Sequence, residues 1–304
     1  MEFDYKNRPG QRLEKKCIHE PIDPKVSIIT PYYNSDKNFL ETYQCVINQT
    51  FELFEWIIVD DGSTNQADVQ KLEKLAESDC RIKLFHTANG GQSKAKNYGM
   101  EQSKTDIIIF LDADDLIENF YVEYLYLALE KHPDAGWSYT DLVGFEGEEY
   151  VWCKPFSAGR MTFNNFLVNA AAFRKKLLES VGGFSEITKH YDEDWALYLK
   201  LLAKNVHPVH IPVIGFWYRR SQNGMQKTVR NNTELRKKSD EYIDSLAKNV
   251  NIRLKEEIFD GELPDTAIKS QYSFKDILVG KICGTYSFLT VVKKIYRRKQ
   301  RKLT

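Results

Sequence analysis

Three short acidic segments carry the residue types from which a group-transfer site is built, and the most informative is Asp112-Ala113-Asp114. It directly follows residues 106–111, which contain the most apolar predicted strand of the chain. Two carboxylates at this spacing can present oxygen ligands to Mg²⁺ or Mn²⁺ while phosphate oxygens fill the remaining positions. Such a metal acts as a Lewis acid on a leaving group. The alternative is a solvated acidic turn in which Asp115 caps the following helix.

The second acidic segment, Asp60-Asp61-Gly62-Ser63, ends the strand predicted over residues 56–59. A carboxylate at a strand end can accept a hydrogen bond from a nucleobase N–H or a ribose hydroxyl, and Gly62 permits a tight turn. An ordinary strand-to-helix turn with capping Asp and Ser explains the same residues equally well.

The third acidic segment is Asp192-Glu193-Asp194-Trp195, at the start of a helix predicted over residues 192–204. The positive end of the helix dipole is expected to keep a carboxylate here ionised, so that it can act as a general base. The alternative is favourable charge at a helix start with no catalytic role.

Strands and helices alternate four times before about residue 135. Short apolar runs predict strands at 26–30, 56–59, 82–85 and 106–111, and helical spacing predicts helices near 39–47, 69–76 and 92–102. This alternation predicts a parallel sheet flanked by helices, in which ligands bind at the carboxyl ends of the strands. The loops at 31–34, 60–63 and 112–115 are therefore expected to meet at one edge.

The pattern is mixed beyond about residue 135. The sequence predicts a strand at 137–140, a loop-rich stretch at 144–165, a helix near 174–180, the helix at 192–204, a last strand at 210–218 and a polar helical region to about 258. These elements divide the chain into a lead-in (1–25), a catalytic domain (26–220) and a helical C-terminal extension (221–304).

Seven motifs, in this order, resemble those of family 2 glycosyltransferases. They are VSIITPYYN (26–34), QT (49–50), VDDGST (59–64), NGGQSKAKNYG (89–99), FLDADD (110–115), VGGF (181–184) and EDW (193–195). The resemblance covers about residues 26–220. It implies an α/β GT-A fold, which is a Rossmann-like mixed sheet flanked by helices that binds a nucleotide-diphospho-sugar.

The resemblance also implies a role for individual residues. Asp61 would bind the donor base, and Pro31 and Tyr33 would line the nucleoside pocket. Lys96 would also bind the donor. Asp112 would bind ribose or sugar hydroxyls and the metal, Asp114 would be the better metal ligand, and Asp194 would be the catalytic base. The cofactor would be Mn²⁺ or Mg²⁺. The family inverts the anomeric centre in a single in-line displacement, so one base suffices and the protein needs no nucleophile.

The chain departs from the family pattern at two places. Lys96 stands where the family often has Arg, which keeps the charge but loses bidentate geometry. Gln222 stands where many members have His, which puts any metal or diphosphate contact from that position in doubt. Arg219 and Arg220 could bind the diphosphate instead, or could be surface charges.

Glu193, Trp195 and Trp152 are assigned to the acceptor side. Glu193 and Trp195 flank the predicted base, and Trp152 lies in the loop-rich stretch that faces the expected acceptor. Aromatic faces commonly stack on sugars, but core packing is the more frequent reason for a Trp. His190 is close to the base in sequence, and it is either an acceptor contact or a loop residue.

The C-terminus is strongly basic, with seven Lys or Arg residues among residues 293–302. It follows the mostly apolar residues 274–292, a pattern that suits attachment to an anionic membrane surface. A solvated helix that docks on the catalytic domain and ends in a charged tail explains the pattern equally well.

The bulk composition limits the function classes. A formal net charge of zero gives no global field for nucleic acid. Five cysteines with no C-x-x-C pair predict neither a disulfide framework nor a structural zinc site. A polar N-terminus without an apolar core segment and the lack of an apolar run of about 18 residues predict a cytoplasmic protein, peripheral at the inner membrane face if the tail binds lipid.

The residues, together with the resemblance to family 2, imply an inverting, metal-assisted glycosyltransferase that moves a sugar from a nucleotide-sugar donor, a UDP-sugar being favoured, to a hydroxyl of a glycan or lipid-linked acceptor. The family places such enzymes in bacterial cell-surface polysaccharide or glycoprotein glycan synthesis. The alternative is a non-catalytic carbohydrate-binding or scaffolding protein on a degenerate GT-A fold. A nucleotidyltransferase would need a glycine-rich basic loop after the first strand, and a dehydrogenase would need G-x-G-x-x-G there. Neither is present at residues 30–36.

Overall fold

A computed structural model describes residues 3–11, 17–167, 170–187, 192–220 and 233–283. The strands are β1 (Val26–Tyr32), β2 (Phe54–Asp60), β3 (Ile82–His86), β4 (Ile107–Phe110), β5 (Leu116–Ile117), β6 (Trp137–Glu146), β7 (Tyr150–Trp152), β8 (Ala171–Arg174), β9 (Pro208–Arg220) and β10 (Glu257–Ile258). The helices are α1 (Asp36–Ile47), α2 (Gln66–Glu77), α3 (Gln92–Gln102), α4 (Tyr121–Lys131), α5 (Ala158–Met161), α6 (Lys175–Ser180), α7 (Glu193–Ala203), α8 (Thr233–Ala247) and α9 (Phe274–Cys283).

One mixed sheet organises these elements, in the strand order β10-β9-β6-β8-β4-β1-β2-β3. β4, β1, β2 and β3 run parallel to one another, as the alternation of strands and helices predicts. β8 is antiparallel to both β4 and β6, whereas β9 is parallel to β6. The mixed α/β sheet flanked by helices confirms the predicted fold class. The carboxyl ends of β1, β2 and β4 lie at one edge, where the three acidic or polar loops begin.

Successive residues of β1 face opposite sides of the sheet, because side chains alternate along a strand. Val26 and Ile28 pack into a core with residues of α1, α2 and α4. Ile29 packs into a second core with residues of α3, α6, α7 and α8. Burial on both faces explains why β1, β2 and β4 read as continuous apolar runs.

The stretch at residues 144–165 is more ordered than the sequence predicts. It contains the end of β6, all of β7 and the short helix α5. The strand predicted over 137–140 extends to Glu146 because β6 pairs with β9 along its length, with register shifts near Asp141.

The C-terminal segment is built onto the sheet and is not purely helical. β10 pairs with β9, and the Ile214 N–H donates to the Ile268 carbonyl at 2.9 Å. α8 packs on α7. Among the described residues, no helix is both long and apolar enough to cross a bilayer. The basic tail at 293–302 lies outside the described residues.

Candidate functional site

The turn that contains Asp112 and Asp114 begins where β4 ends. Asp112 accepts a hydrogen bond from Gln92 Nε2 at 2.9 Å, and its Oδ1 lies 3.0 Å from Lys96 Nζ. Burial, and then the neighbouring Asp112 carboxylate, raise the pKa of Asp114 to about 6. Asp115 is buried and accepts the Arg219 backbone N–H at 2.8 Å, so it anchors the turn instead of capping a helix.

Burial is the main cause of the raised pKa of Asp114, and the charge of Asp112 adds to it, so a divalent cation bound beside these carboxylates would stabilise their ionised forms. The two Asp side chains supply the hard oxygen ligands that Mn²⁺ and Mg²⁺ prefer. Within the described ranges, no group of three or more His, Cys, Asp or Glu residues could hold a metal by itself. A cation held by Asp114 and Asp112 would therefore need to take its remaining ligands from phosphate oxygens and water.

Arg219 supports this turn from behind. Its buried guanidinium donates from Nε to the Asp114 carbonyl at 2.6 Å and pairs with Glu41 and Glu146. These contacts favour a structural role for Arg219 over diphosphate binding. Because Arg219 is buried, it is not a surface charge either. Arg220 pairs with Glu148 at 3.4 Å. Gln222 lies outside the described residues.

Asp61 holds the turn before α3 in place. Its two carboxylate oxygens accept the backbone N–H groups of Gly90 and Gly91, both at 2.7 Å. Gly62 has φ +73°, and a Cβ there would lie 2.7 Å from the Asn89 nitrogen, so only glycine fits this close approach. A carboxylate has about four acceptor positions, which leaves Asp61 capacity for a ligand. Its role with the donor base stays a prediction.

Pro31 lies within β1, which runs one residue past it to Tyr32 and not to a stop at Pro31, and Tyr33 begins the loop that follows. The Tyr33 side chain is 47% exposed, as a ring that stacks on a ligand requires. Asn34 ties this loop to the one after β2, because its backbone N–H donates to Ser63 Oγ at 3.0 Å and its Oδ1 accepts the Thr64 N–H at 3.0 Å. The two loops form one edge, as the topology predicts.

Lys96 lies between Asp112 on the donor side and Glu193, the residue next to the predicted base. It is fully buried on α3, and its Nζ lies 3.0 Å from Asp112 Oδ1 and 3.7 Å from Glu193 Oε1. Burial alone would lower the pKa of Lys96, but the Asp112 and Glu193 carboxylates outweigh it and raise that pKa. The ring of Phe184 lies 5.3 Å from Nζ and covers the cation.

Asp194 lies in the first turn of α7 and keeps a small solvent-exposed fraction. Its Oδ1 accepts the Trp195 N–H at 2.7 Å. Burial, then Glu193 and Asp192, raise the pKa of Asp194 to about 8, against the opposing effect of Lys96. The expectation that the helix dipole keeps a carboxylate here ionised does not hold for Asp194 below a pH of about 8, because burial beside two carboxylates outweighs the dipole. A pKa near neutrality suits a general base.

The tryptophans assigned to the acceptor side differ. The Trp195 indole donates to the Met161 carbonyl at 2.6 Å and packs in the second core, so it fixes α7 to α5. Trp152 is half-buried on β7, with Lys154 Nζ 4.8 Å from its ring centroid. Its sugar contact stays a prediction. His190 lies outside the described residues.

Sequence reasoning missed two residues of the site. Tyr218 is half-buried at the end of β9 and close enough to interact electrostatically with Asp112 and Asp194, and burial raises its pKa. Gln92, which follows the two glycines directly, fixes Asp112. Only its position in the N-G-G motif could have indicated this role.

Comparisons with known proteins give a family match over about half of the chain. A family model described as Glycosyl transferase family 2 matches residues 27–183. A Rickettsia bellii protein named as an uncharacterized glycosyltransferase is 35% identical over 144 residues, which are 47% of this chain and 20% of that protein. This chain therefore aligns with about a fifth of that relative's length.

Solved structures agree on the fold. S. aureus TarS residues 1–349, in complex with UDP-GlcNAc, has a TM-score of 0.58 and 22% identity, covering 67% of this chain and 61% of that one. A Pyrobaculum calidifontis mannosyltransferase in complex with GDP-Man and Mn²⁺ has a TM-score of 0.53 and 16% identity, covering 78% and 77%.

Proposed function

Because the chain belongs to glycosyl transferase family 2, we propose that it is an inverting, metal-assisted glycosyltransferase that moves a sugar from a nucleoside-diphosphate donor to an acceptor hydroxyl. The observation that carries the proposal is the position of Lys96. One buried cation contacts Asp112 on the donor side and Glu193 beside the predicted base. A reaction that breaks a bond to a diphosphate and deprotonates an acceptor needs both groups close together.

In the proposed reaction, Asp61, Pro31 and Tyr33 hold the nucleoside. Asp114 and Asp112 would hold the divalent cation, which supplies Lewis-acid stabilisation of the leaving diphosphate. The acceptor oxygen forms a bond to the anomeric carbon as the bond from that carbon to the diphosphate oxygen breaks. Asp194 takes the acceptor proton, and the diphosphate leaves with the bonding electrons.

We favour a UDP-sugar as donor and a glycan or lipid-linked acceptor. The structural neighbour with bound UDP-GlcNAc supports the first choice, although the other neighbour holds GDP-Man. The setting we propose is bacterial cell-surface polysaccharide or glycoprotein glycan synthesis, on the cytoplasmic side of the membrane.

The test is a thermal-shift screen of the purified chain against nucleoside diphosphates and nucleotide sugars, with and without Mn²⁺. A ligand present at a hundred times its dissociation constant stabilises the native state by about 2.7 kcal/mol. We expect a metal-dependent shift with one nucleotide, followed by release of its diphosphate product in the presence of glycoside acceptors.

Two variants make the screen specific. Asp114→Asn is expected to lose the metal-dependent part of the shift, because Asn has no charge with which to bind the cation. Asp134→Asn makes the same change at an exposed position in the turn before β6 and should behave like the unmodified chain. A normal metal-dependent shift in Asp114→Asn would contradict the metal assignment. A shift with no diphosphate release from any donor would favour the non-catalytic alternative.

A further inference from the structure

One hydroxyl on α8 points at the start of the helix that carries the predicted base. Ser239, Ile243 and Ala247 form the buried face of α8, at a spacing of four residues that places them on one side of a helix. Ile243 and Ala247 pack into the apolar core shared with α7. Ser239 is only 2% exposed, and its Oγ donates to Asp192 Oδ2 at 3.1 Å. It is the polar member of an otherwise apolar face.

Asp192 is the residue from which α7 begins. Its backbone is left-handed, with φ +55°, which is uncommon for a residue other than glycine and requires support from its surroundings. Its carbonyl accepts the Ala196 N–H at 2.9 Å, and this bond starts the helix. Asp194 is two residues further on, so the conformation of Asp192 sets the direction in which the Asp194 carboxylate leaves the helix.

We propose that Ser239 is a positioning residue for the glycosyl-transfer reaction, which holds Asp192 in its left-handed conformation and thereby orients Asp194. The inference rests on the proposed function and deepens it. With this role for Ser239, α8 contributes to the active site, although it lies beyond residues 27–183, which the family model matches.

The charged groups around the two carboxylates determine what a pH profile will report. Asp192 is faced by Glu193 on its own helix and by Asp240 and Arg236 of α8. Burial raises the pKa of Asp192 to about 6, and the hydrogen bond from Ser239 opposes that rise.

Asp194 is faced by Glu193 and Asp192, by Lys96 of α3, and by the rings of Tyr198 and Tyr218. The negative charge of Asp192 is one of the causes that raise the pKa of Asp194. Loss of the Ser239 hydroxyl therefore leaves Asp192 protonated over more of the neutral range, which removes part of the repulsion that Asp194 experiences.

The experiment compares Ser239→Ala with Ser245→Ala, using release of nucleoside diphosphate from the donor that the thermal-shift screen identifies. Ser245 is exposed on the same helix and bonds only locally, to the Tyr242 carbonyl at 2.7 Å, so it is a matched control. We expect Ser239→Ala to lower kcat at alkaline pH by about tenfold, as misplacement of a reacting group does. The donor KM should stay unchanged, and the midpoint of the pH–kcat profile should move to lower pH. Ser239→Thr keeps the hydroxyl and should restore most of the rate.

Each result of this comparison supports or overturns the role proposed for Ser239. A Ser239→Ala profile that matches that of Ser245→Ala in kcat and midpoint would overturn the inference and leave the proposed function intact. A reduced melting temperature with an unshifted midpoint and no rescue by Thr would show a merely structural hydroxyl and would also overturn it. An unmodified chain that turns over no nucleotide sugar would refute the proposed function, and the inference with it.

Discussion

Replacement of Asp194 by Asn should make the protein more stable and inactive at the same time. The ordinary pKa of an aspartate is 3.8, and burial among carboxylates raises that of Asp194 to about 8. An acid whose pKa is raised by folding destabilises the native state as pH rises, because the unfolded chain ionises first. The penalty is absent below pH 3.8, grows through the range to about 8 and is complete above it.

The size of this destabilisation follows from the difference between the pKa values of Asp194 in the unfolded and the native chain. One pKa unit corresponds to about 1.4 kcal/mol, so ionised Asp194 destabilises the fold by several kcal/mol at alkaline pH. Asn has no charge to bury, and each kcal/mol is worth roughly 2 °C of melting temperature in a chain of this size. The Asn variant should therefore melt several degrees higher than the unmodified chain at pH 9, with a much smaller difference at pH 5.

Differential scanning calorimetry of the ligand-free protein across this pH range is the assay, with Asp134→Asn as the exposed control. The same pKa predicts that diphosphate release by the unmodified chain rises about tenfold between pH 7 and pH 9, as the ionised fraction of the base grows. The Asn variant should lose roughly 10²- to 10⁴-fold in rate. A melting difference that is equal at pH 5 and pH 9 would refute the electrostatic reasoning, whatever the activity shows.

Two further substitutions test the surroundings of the site. Lys96→Met leaves Asp112 and Glu193 without their shared buried cation, so we expect a loss of about 3 to 5 kcal/mol in unfolding free energy and weaker nucleotide binding, measured by chemical denaturation and thermal shift. Unchanged stability would show that this cation is not needed to balance the acids. Gly62→Ala places a Cβ 2.7 Å from the Asn89 nitrogen at a positive φ, so a loss of about 1 to 3 kcal/mol is expected, and a neutral result would contradict the close approach.

Much of the fold could be predicted from the sequence because local and global signals agree in its first half. A continuous apolar run such as residues 107–110 predicts a strand that is covered by helices on both faces, and β4 is such a strand. Parallel topology also predicts that the loops after β1, β2 and β4 lie at one edge of the sheet. The strands in the second half of the chain were harder to predict from the sequence. β8 and β10 are short, and β10 pairs only because β9 offers it an edge, which no local pattern records.

The sequence predicted where the candidate site residues lie in the fold, but it did not predict their electrostatics. Sequence spacing could place Asp194 at a helix start. It could not show that the charges of Asp192 and Glu193 raise the pKa of Asp194. The pKa of a carboxylate depends on groups that are distant in sequence, such as Lys96, and on burial, which appears only when the chain is folded.

The two buried cations of the site show most clearly what sequence reasoning could not decide. Lys96 and Arg219 both lie next to the Asp112–Asp115 turn, and both are candidates for contact with a diphosphate when only the sequence is considered. Lys96 forms ion pairs with Asp112 and with Glu193, the neighbour of Asp194. Arg219 donates to the backbone carbonyl of Asp114 and pairs with Glu41 and Glu146, on the other side of the turn. In the proposed reaction, Lys96 would therefore lie beside the groups whose charge changes. Arg219 can only hold the turn in shape, because its donors are already used by groups that do not change.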